Sequence, residues 1–157
     1  MLLKKHASCV IIYLLENVQP SAVIKEAKSM FCIITNNPKC YERYNAEMKV
    51  EYLSDGGYLD VLLRVQSYIH DHWCLVTHPL AGSIKPNQIP YRSVIIKDNA
   101  YDQDEYFQSC VMIENSIETY HRIMKGKPVV DWPERMLDDF QDADLSLFDG
   151  AYRNLNL

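Results

Sequence analysis

The sequence predicts an α/β fold, a mainly parallel sheet of about four strands flanked by helices, with the fourth strand antiparallel. Three observations lead there. Four short apolar runs, near residues 31–35, 50–53, 73–77 and 93–97, have the length and side-chain content of strands. Helical segments separate the first three runs, as parallel strands require. The last two are joined by a long polar stretch without a helix, and such a link normally reverses the chain.

Before the first strand, Lys4-Lys5 and the apolar run Cys9-Val-Ile-Ile-Tyr-Leu-Leu15 imitate a signal peptide. The run is short, Glu16 closes it, no small-residue cleavage site follows, and about 18 apolar residues would be needed to span a membrane. Residues 3–16 read as a short helix and Pro20-Ser21 opens a second one to about Lys28, making 1–29 an N-terminal helical extension.

Met30-Phe-Cys-Ile-Ile-Thr35 is a buried strand stopped by Asn36-Asn37-Pro38, with a helix from Lys39 to Asn45. Val50-Glu-Tyr-Leu53 is the second strand and Ser54-Asp55-Gly56-Gly57 its turn. Leu59, Leu62, Leu63, Gln66 and Ile69 recur at helical spacing, so a helix from Tyr58 to about Asp71 is expected, capped by Ser54 or Asp55. Trp73-Cys-Leu-Val-Thr77 and Ser93-Val-Ile-Ile-Lys97 are the third and fourth strands.

From Asp98 to Met124 runs the longest helix candidate, with Tyr106, Cys110, Ile113, Ile117, Tyr120 and Met124 on one seam. About three heptads with few flanking charges suit packing on the sheet better than a dimer zipper. Gly126 and Pro128 end it. Residues 131–157 form an acidic tail with scattered Leu137, Phe140, Leu145, Leu147 and Phe148, expected to dock loosely or on a partner.

At 157 residues with 48% hydrophobic and 24% charged content, the chain fits one domain, 1–157, with a real core. The net charge of -5 resides in the tail, where seven acids face Arg135 and Arg153. The rest is balanced, so no field attracts a phosphate backbone, and neither nucleic acid nor membrane is an expected partner. Five cysteines, odd in number and without Cys-x-x-Cys spacing, suit a reducing cytoplasm.

The stretch that gathers chemistry is Thr77-His-Pro-Leu-Ala-Gly-Ser-Ile-Lys-Pro-Asn-Gln-Ile-Pro-Tyr-Arg-Ser93. It carries an imidazole (His78), a hydroxyl (Ser83), an amine (Lys85), a carboxamide (Asn87), a phenol (Tyr91) and a guanidinium (Arg92), on a backbone stiffened by Pro79, Pro86 and Pro90. Right-handed crossovers put its start on the same sheet edge as Asn36-Asn37 and Ser54-Asp55-Gly56-Gly57, where open α/β sheets hold ligands. The ligand-binding candidates are therefore Asn36, Asn37, His78, Ser83, Lys85, Asn87, Tyr91 and Arg92. The plain alternative is a solvated connection that its prolines merely stiffen.

His70-Asp71-His72 has metal-like spacing, but His78 lies beyond the third strand, about 20 Å away, and the three cannot share one ion. A helix C-terminus also favours His for dipole reasons, so no metal site is expected and no cofactor is indicated. Asp55-Gly56-Gly57 lacks a full phosphate-loop pattern and reads as a capped turn.

The loop 77–93, together with Ile34-Thr-Asn-Asn-Pro38, Leu59-Asp-Val-Leu62 and Ile69-His70, resembles the GrdX family, small proteins encoded beside glycine, sarcosine or betaine reductase components in anaerobes. The resemblance covers roughly residues 31–97. It implies a context, amino-acid-reducing fermentation in the cytoplasm, and carries over no catalytic residue.

Three functions compete. The first is a binding module that holds a small anionic metabolite between the Asn36-Asn37 turn and Lys85, Tyr91 and Arg92. The second is a small hydrolase-like or transferase-like enzyme with His78 as general base and Ser83 or a substrate group as its target, although no acid in the loop orients the imidazole unless Asp55 reaches across. The third is an interaction protein that docks on a reductase complex or forms a homodimer. Ligand binding is placed first.

Overall fold

The computed structural model describes residues 30–80, 84–98, 102–128 and 130–155. The helices expected within 1–29 lie outside the described residues, and so does Ser83. In chain order the elements are β1 (Phe31–Thr35), α1 (Pro38–Tyr44), β2 (Lys49–Tyr52), α2 (Tyr58–His70), β3 (Trp73–Leu75), β4 (Ser93–Asp98), α3 (Gln103–Met124) and α4 (Glu134–Arg153).

The strands form one sheet in the order β2-β1-β4-β3. β1 pairs in parallel with β2, and β4 is antiparallel to both β1 and β3. The first three strands therefore share a direction and β4 opposes them, as its helix-free link requires. The pairing is nonetheless mixed rather than mainly parallel, because β4 inserts between β1 and β3 instead of adding at an edge. The insertion places Ile95 opposite Ile33, and Ile96 between Cys32 and Leu75, so the most apolar strand has a neighbour on both sides.

Alternation along the central strands builds two cores. Cys32, Ile34, Val94 and Ile96 pack with Val61, Leu62, Val65 and Ile69 of α2 and Ile113 of α3. On the other face Ile33 and Ile95 pack with Cys40 and Tyr44 of α1 and Phe148 of α4. The result is three layers, with α2 and α3 on one face and α1 and α4 on the other. The α3 seam faces the first core, where Tyr106, Cys110, Ile117 and Tyr120 lie against it.

Two local expectations are corrected. The α2 cap is neither Ser54 nor Asp55: the chain enters through Gly57, whose N–H donates to Asp60 Oδ2 at 2.7 Å. Asp60, one turn into the helix, reaches back to that N–H, which is one half of a capping box. The tail, for its part, is no loose appendage. It is the twenty-residue helix α4, and Phe148 on it is only 4% exposed. Its apolar face is completed by the sheet itself, which a count of its few apolar residues does not register.

β3 is shorter than its apolar run. Val76 N–H and Thr77 N–H both donate to the Ile95 carbonyl, while Thr77 Oγ1 accepts from Ile95 N–H at 2.9 Å. Two residues thus oppose one, and the ladder ends in a bulge that turns the chain into the loop. Among the described residues no helix is long and apolar enough to cross a membrane.

Candidate functional site

The C-terminal ends of β1, β2 and β3 meet the start of β4 at one edge of the sheet, and Asn36 clasps it. Its Oδ1 accepts from Arg92 N–H at 2.7 Å, and its Nδ2 donates to the carbonyls of Gly56 at 3.1 Å and Pro90 at 3.0 Å. One carboxamide thereby ties β1 to the turn before α2 and to the end of the loop. The expected meeting of the loop and the Asn36-Asn37 turn is present.

Asn37 is also fully buried. Its Oδ1 caps α1 by accepting from Lys39 N–H, while its Nδ2 donates to the Gln141 carbonyl and to Asp144 Oδ2, both at 2.9 Å. Asp144 is 2% exposed and takes two further donors from Ser93: the backbone N–H to Oδ1 at 3.1 Å and the hydroxyl to Oδ2 at 2.6 Å. Since the Ser93 proton goes to the carboxylate, the 2.7 Å contact between Ser93 Oγ and Thr35 Oγ1 is donated by Thr35. Thr35 Oγ1 in turn accepts from Asn37 N–H at 2.9 Å. The buried donors of this edge, Asn37 Nδ2, Ser93 N–H and Ser93 Oγ, are thus taken by the chain's own Asp144.

Asp144 and Gln141 were invisible to a reading centred on the loop. One signal marks them: Phe140, Asp144, Phe148 and Tyr152 recur every fourth residue, which sets an acid in the middle of an apolar stripe. An acid so placed needs buried donors.

Arg92 is 7% exposed and turned inward. Its Nε donates to the Pro79 carbonyl at 2.7 Å and its Nη2 to the His78 carbonyl at 2.5 Å, so the guanidinium holds the loop's first residues. It has no carboxylate partner among the described residues. His78 is exposed, and its Nδ1 lies 3.0 Å from both the N–H and the carbonyl oxygen of Leu80. No carboxylate of the described residues, Asp55 included, bonds to this ring, so the orienting partner of a Ser-His-Asp arrangement is missing there. Tyr91 Oη accepts from Gln141 Nε2 at 3.0 Å, and Lys85 is exposed.

Two clefts share His78 and Leu80 as a common wall. The larger, about 420 Å³, lies between them and the α3 residues Phe107, Val111, Asn115 and Thr119. The smaller, about 210 Å³, is closed by Arg92, Ser93 and Thr77 on one side and by Leu147, Phe148 and Ala151 of α4 on the other. Of the eight sequence-derived candidates Ser83 lies outside the described residues, and the other seven divide. His78 and Arg92 line these clefts, Asn36 and Asn37 are spent on internal bonds, Lys85 and Tyr91 line neither cleft, and Asn87 lines a different one.

Burial, with the nearby Asp144 charge adding to it, pushes the Cys40 thiol up to about 12. It is a core thiol rather than a nucleophile. Among the described residues no group of three or more His, Cys, Asp or Glu could hold a metal ion. His70 and His72 face different neighbours, Glu114 at 3.7 Å and the Tyr106 ring at 5.0 Å.

Fold and edge together define a three-layer α/β protein with a mixed sheet, clefts at its strand ends and a C-terminal helix laid against them. No curated protein and no solved structure matches the sequence. A family model described as GrdX-like protein matches residues 32–153, and the chain belongs to that family. The match runs past the 31–97 resemblance to the last residue of α4, so the helix that supplies Asp144 lies within the matched region.

Proposed function

We propose that this GrdX-family chain is a cytoplasmic binding module for a small anionic metabolite of amino-acid (glycine, sarcosine or betaine) reductase metabolism. The observation that carries the reading is the pair of clefts meeting at His78. The smaller offers the Ser93 side of the edge and the charge of a guanidinium with no carboxylate beside it. The larger offers apolar walls with Asn115 and Thr119 for the rest of the molecule. Volumes of this order suit a metabolite. Lys85, outside both clefts, contributes attraction at a distance, which salt screens.

The test is a thermal-shift screen of amino acids, betaines and phosphorylated metabolites, followed by calorimetric titration of the hit into wild type and His78→Asn. His78 is exposed, so its replacement should leave the melting temperature alone and weaken binding about five- to tenfold, the worth of one hydrogen bond. A screen without hits, or equal affinity in the variant, would sink the reading.

A further inference from the structure

Arg92 carries a charge that the fold does not neutralise. It is 7% exposed, and the Pro79 and His78 carbonyls that take its Nε–H and an Nη2–H are dipoles, which bring no negative charge. No carboxylate of the described residues pairs with it. A cation withdrawn from water in this way is costly unless an anion joins it. Nη1 makes no hydrogen bond among the described residues and is not sealed in either, so its N–H groups stay open where the side chain lines the smaller cleft.

The rest of that cleft narrows the anion. Thr77 Oγ1 accepts from Ile95 N–H, and its own proton meets no acceptor among the described residues, which gives the cleft one more donor. Ser93 adds none, since Asp144 takes both its N–H and its hydroxyl. Donors so few match the two oxygens of a carboxylate better than a phosphoryl group. The Asp144 charge, one hydrogen bond behind Ser93, also disfavours a dianion. On the far side stand Leu147, Phe148 and Ala151, which cover carbon and offer no hydrogen bond. Neither cleft at His78 is lined by an Asp or Glu, so an ammonium group on the ligand would lose its water and gain no partner.

The geometry points to one ligand class: a short aliphatic monocarboxylate without an ammonium group. Its oxygens lie on Arg92 and the Thr77 hydroxyl, and its hydrocarbon end lies against Leu147, Phe148 and Ala151. This assignment rests on the binding reading of the edge and narrows it, because amino acids of the same carbon skeleton are rejected.

The probes share one skeleton: butyrate, butyramide and 2-aminobutyrate. Each is titrated into the full chain by calorimetry at constant ionic strength, while ¹⁵N-labelled protein is followed by NMR. Butyrate should bind saturably at one site and move the amide signals of Thr77, Arg92 and Ala151. Butyramide, which lacks the charge, and 2-aminobutyrate, which adds the ammonium, should each bind about tenfold more weakly or worse. Ala151→Leu puts a good helix former on α4 and fills the apolar end, so it should weaken butyrate about tenfold while acetate keeps its affinity. If that variant does not melt as wild type does, the three probes on wild type decide alone. No saturation by tens of millimolar butyrate, equal binding of acid and amide, or an Arg92 signal that stays still would overturn the assignment. Tighter binding of 2-aminobutyrate than of butyrate would overturn it too, yet leave the binding reading standing. That reading fails separately, on a metabolite screen without hits.

Discussion

Asp144 accepts three hydrogen bonds and has no ion pair among the described residues, so its charge is stabilised by donors alone. Asp144→Ala strands the Ser93 N–H and one Asn37 N–H in a dry place, at a cost of about 2–4 kcal/mol read from urea unfolding. Asp144→Asn keeps an acceptor oxygen and should cost less. Arg92 behaves alike. Its side chain holds two loop carbonyls, and Arg92→Met, which loses both, should cost about 2–3 kcal/mol. Glu51 sets an acid dependence. Burial raises its carboxyl, but hydrogen bonds from Arg64 and Tyr68 outweigh that and hold it below the usual value of 4.5. A carboxyl lowered by folding stabilises fully above its ordinary range and loses that contribution as pH falls through the lowered value. Glu51→Gln should therefore flatten the decline in stability of wild type below about pH 4.5, as followed by chemical unfolding across pH. The loop's candidates were legible because prolines and polar groups crowd one stretch. The partners of that edge were not, since Asn37 and Asp144 lie 107 positions apart and nothing local to either names the other.

At the scale of elements, α4 changes rank from tail to structural layer. Phe148 meets the Tyr44 ring at 5.1 Å, Tyr44 Oη donates to Asp149 at 2.7 Å, and Lys39 pairs with Asp138 and Asp142 at 2.8 and 2.7 Å. Phe148→Ala should cost about 3–5 kcal/mol, and removal of residues 134–157 should abolish the cooperative thermal transition. A truncated chain that melts as wild type does would show that the sheet needs no cover on this face. Strands and the long helix were readable because their patterns hold over several turns or alternations. The α4 pattern was not, because its average composition is acidic, and only the face set by four-residue spacing discloses its packing. The α2 cap eluded the reading for a smaller reason. Asp60 caps from inside the helix, where an acid is also a common surface residue.

Across the whole molecule, strand direction was legible and strand neighbourhood was not. The helix-free link implies that β4 reverses, yet it does not say whether β4 adds beyond β3 or slips between β3 and β1. The choice follows from burial: β4 has four successive buried residues, Ser93 to Ile96, and gains most with a partner on each side. That order places the Ser93 hydroxyl beside Thr35 and leaves both waiting for Asp144. The waiting has a consequence in time. A ribosome adds about 5–20 residues per second, so the emerging protein lives for a few seconds with its four strands made and α4 unmade. During that interval the buried donors are open to any carboxylate the cell provides, and Ile33 and Ile95 lack the Phe148 that covers them. Closure is also a long-range event that joins positions 104 and 107 apart in sequence, and such contacts form late and slowly. Birth, for this protein, is a period of exposure to aggregation, and α4, synthesised after the sheet it covers, is the segment that ends it.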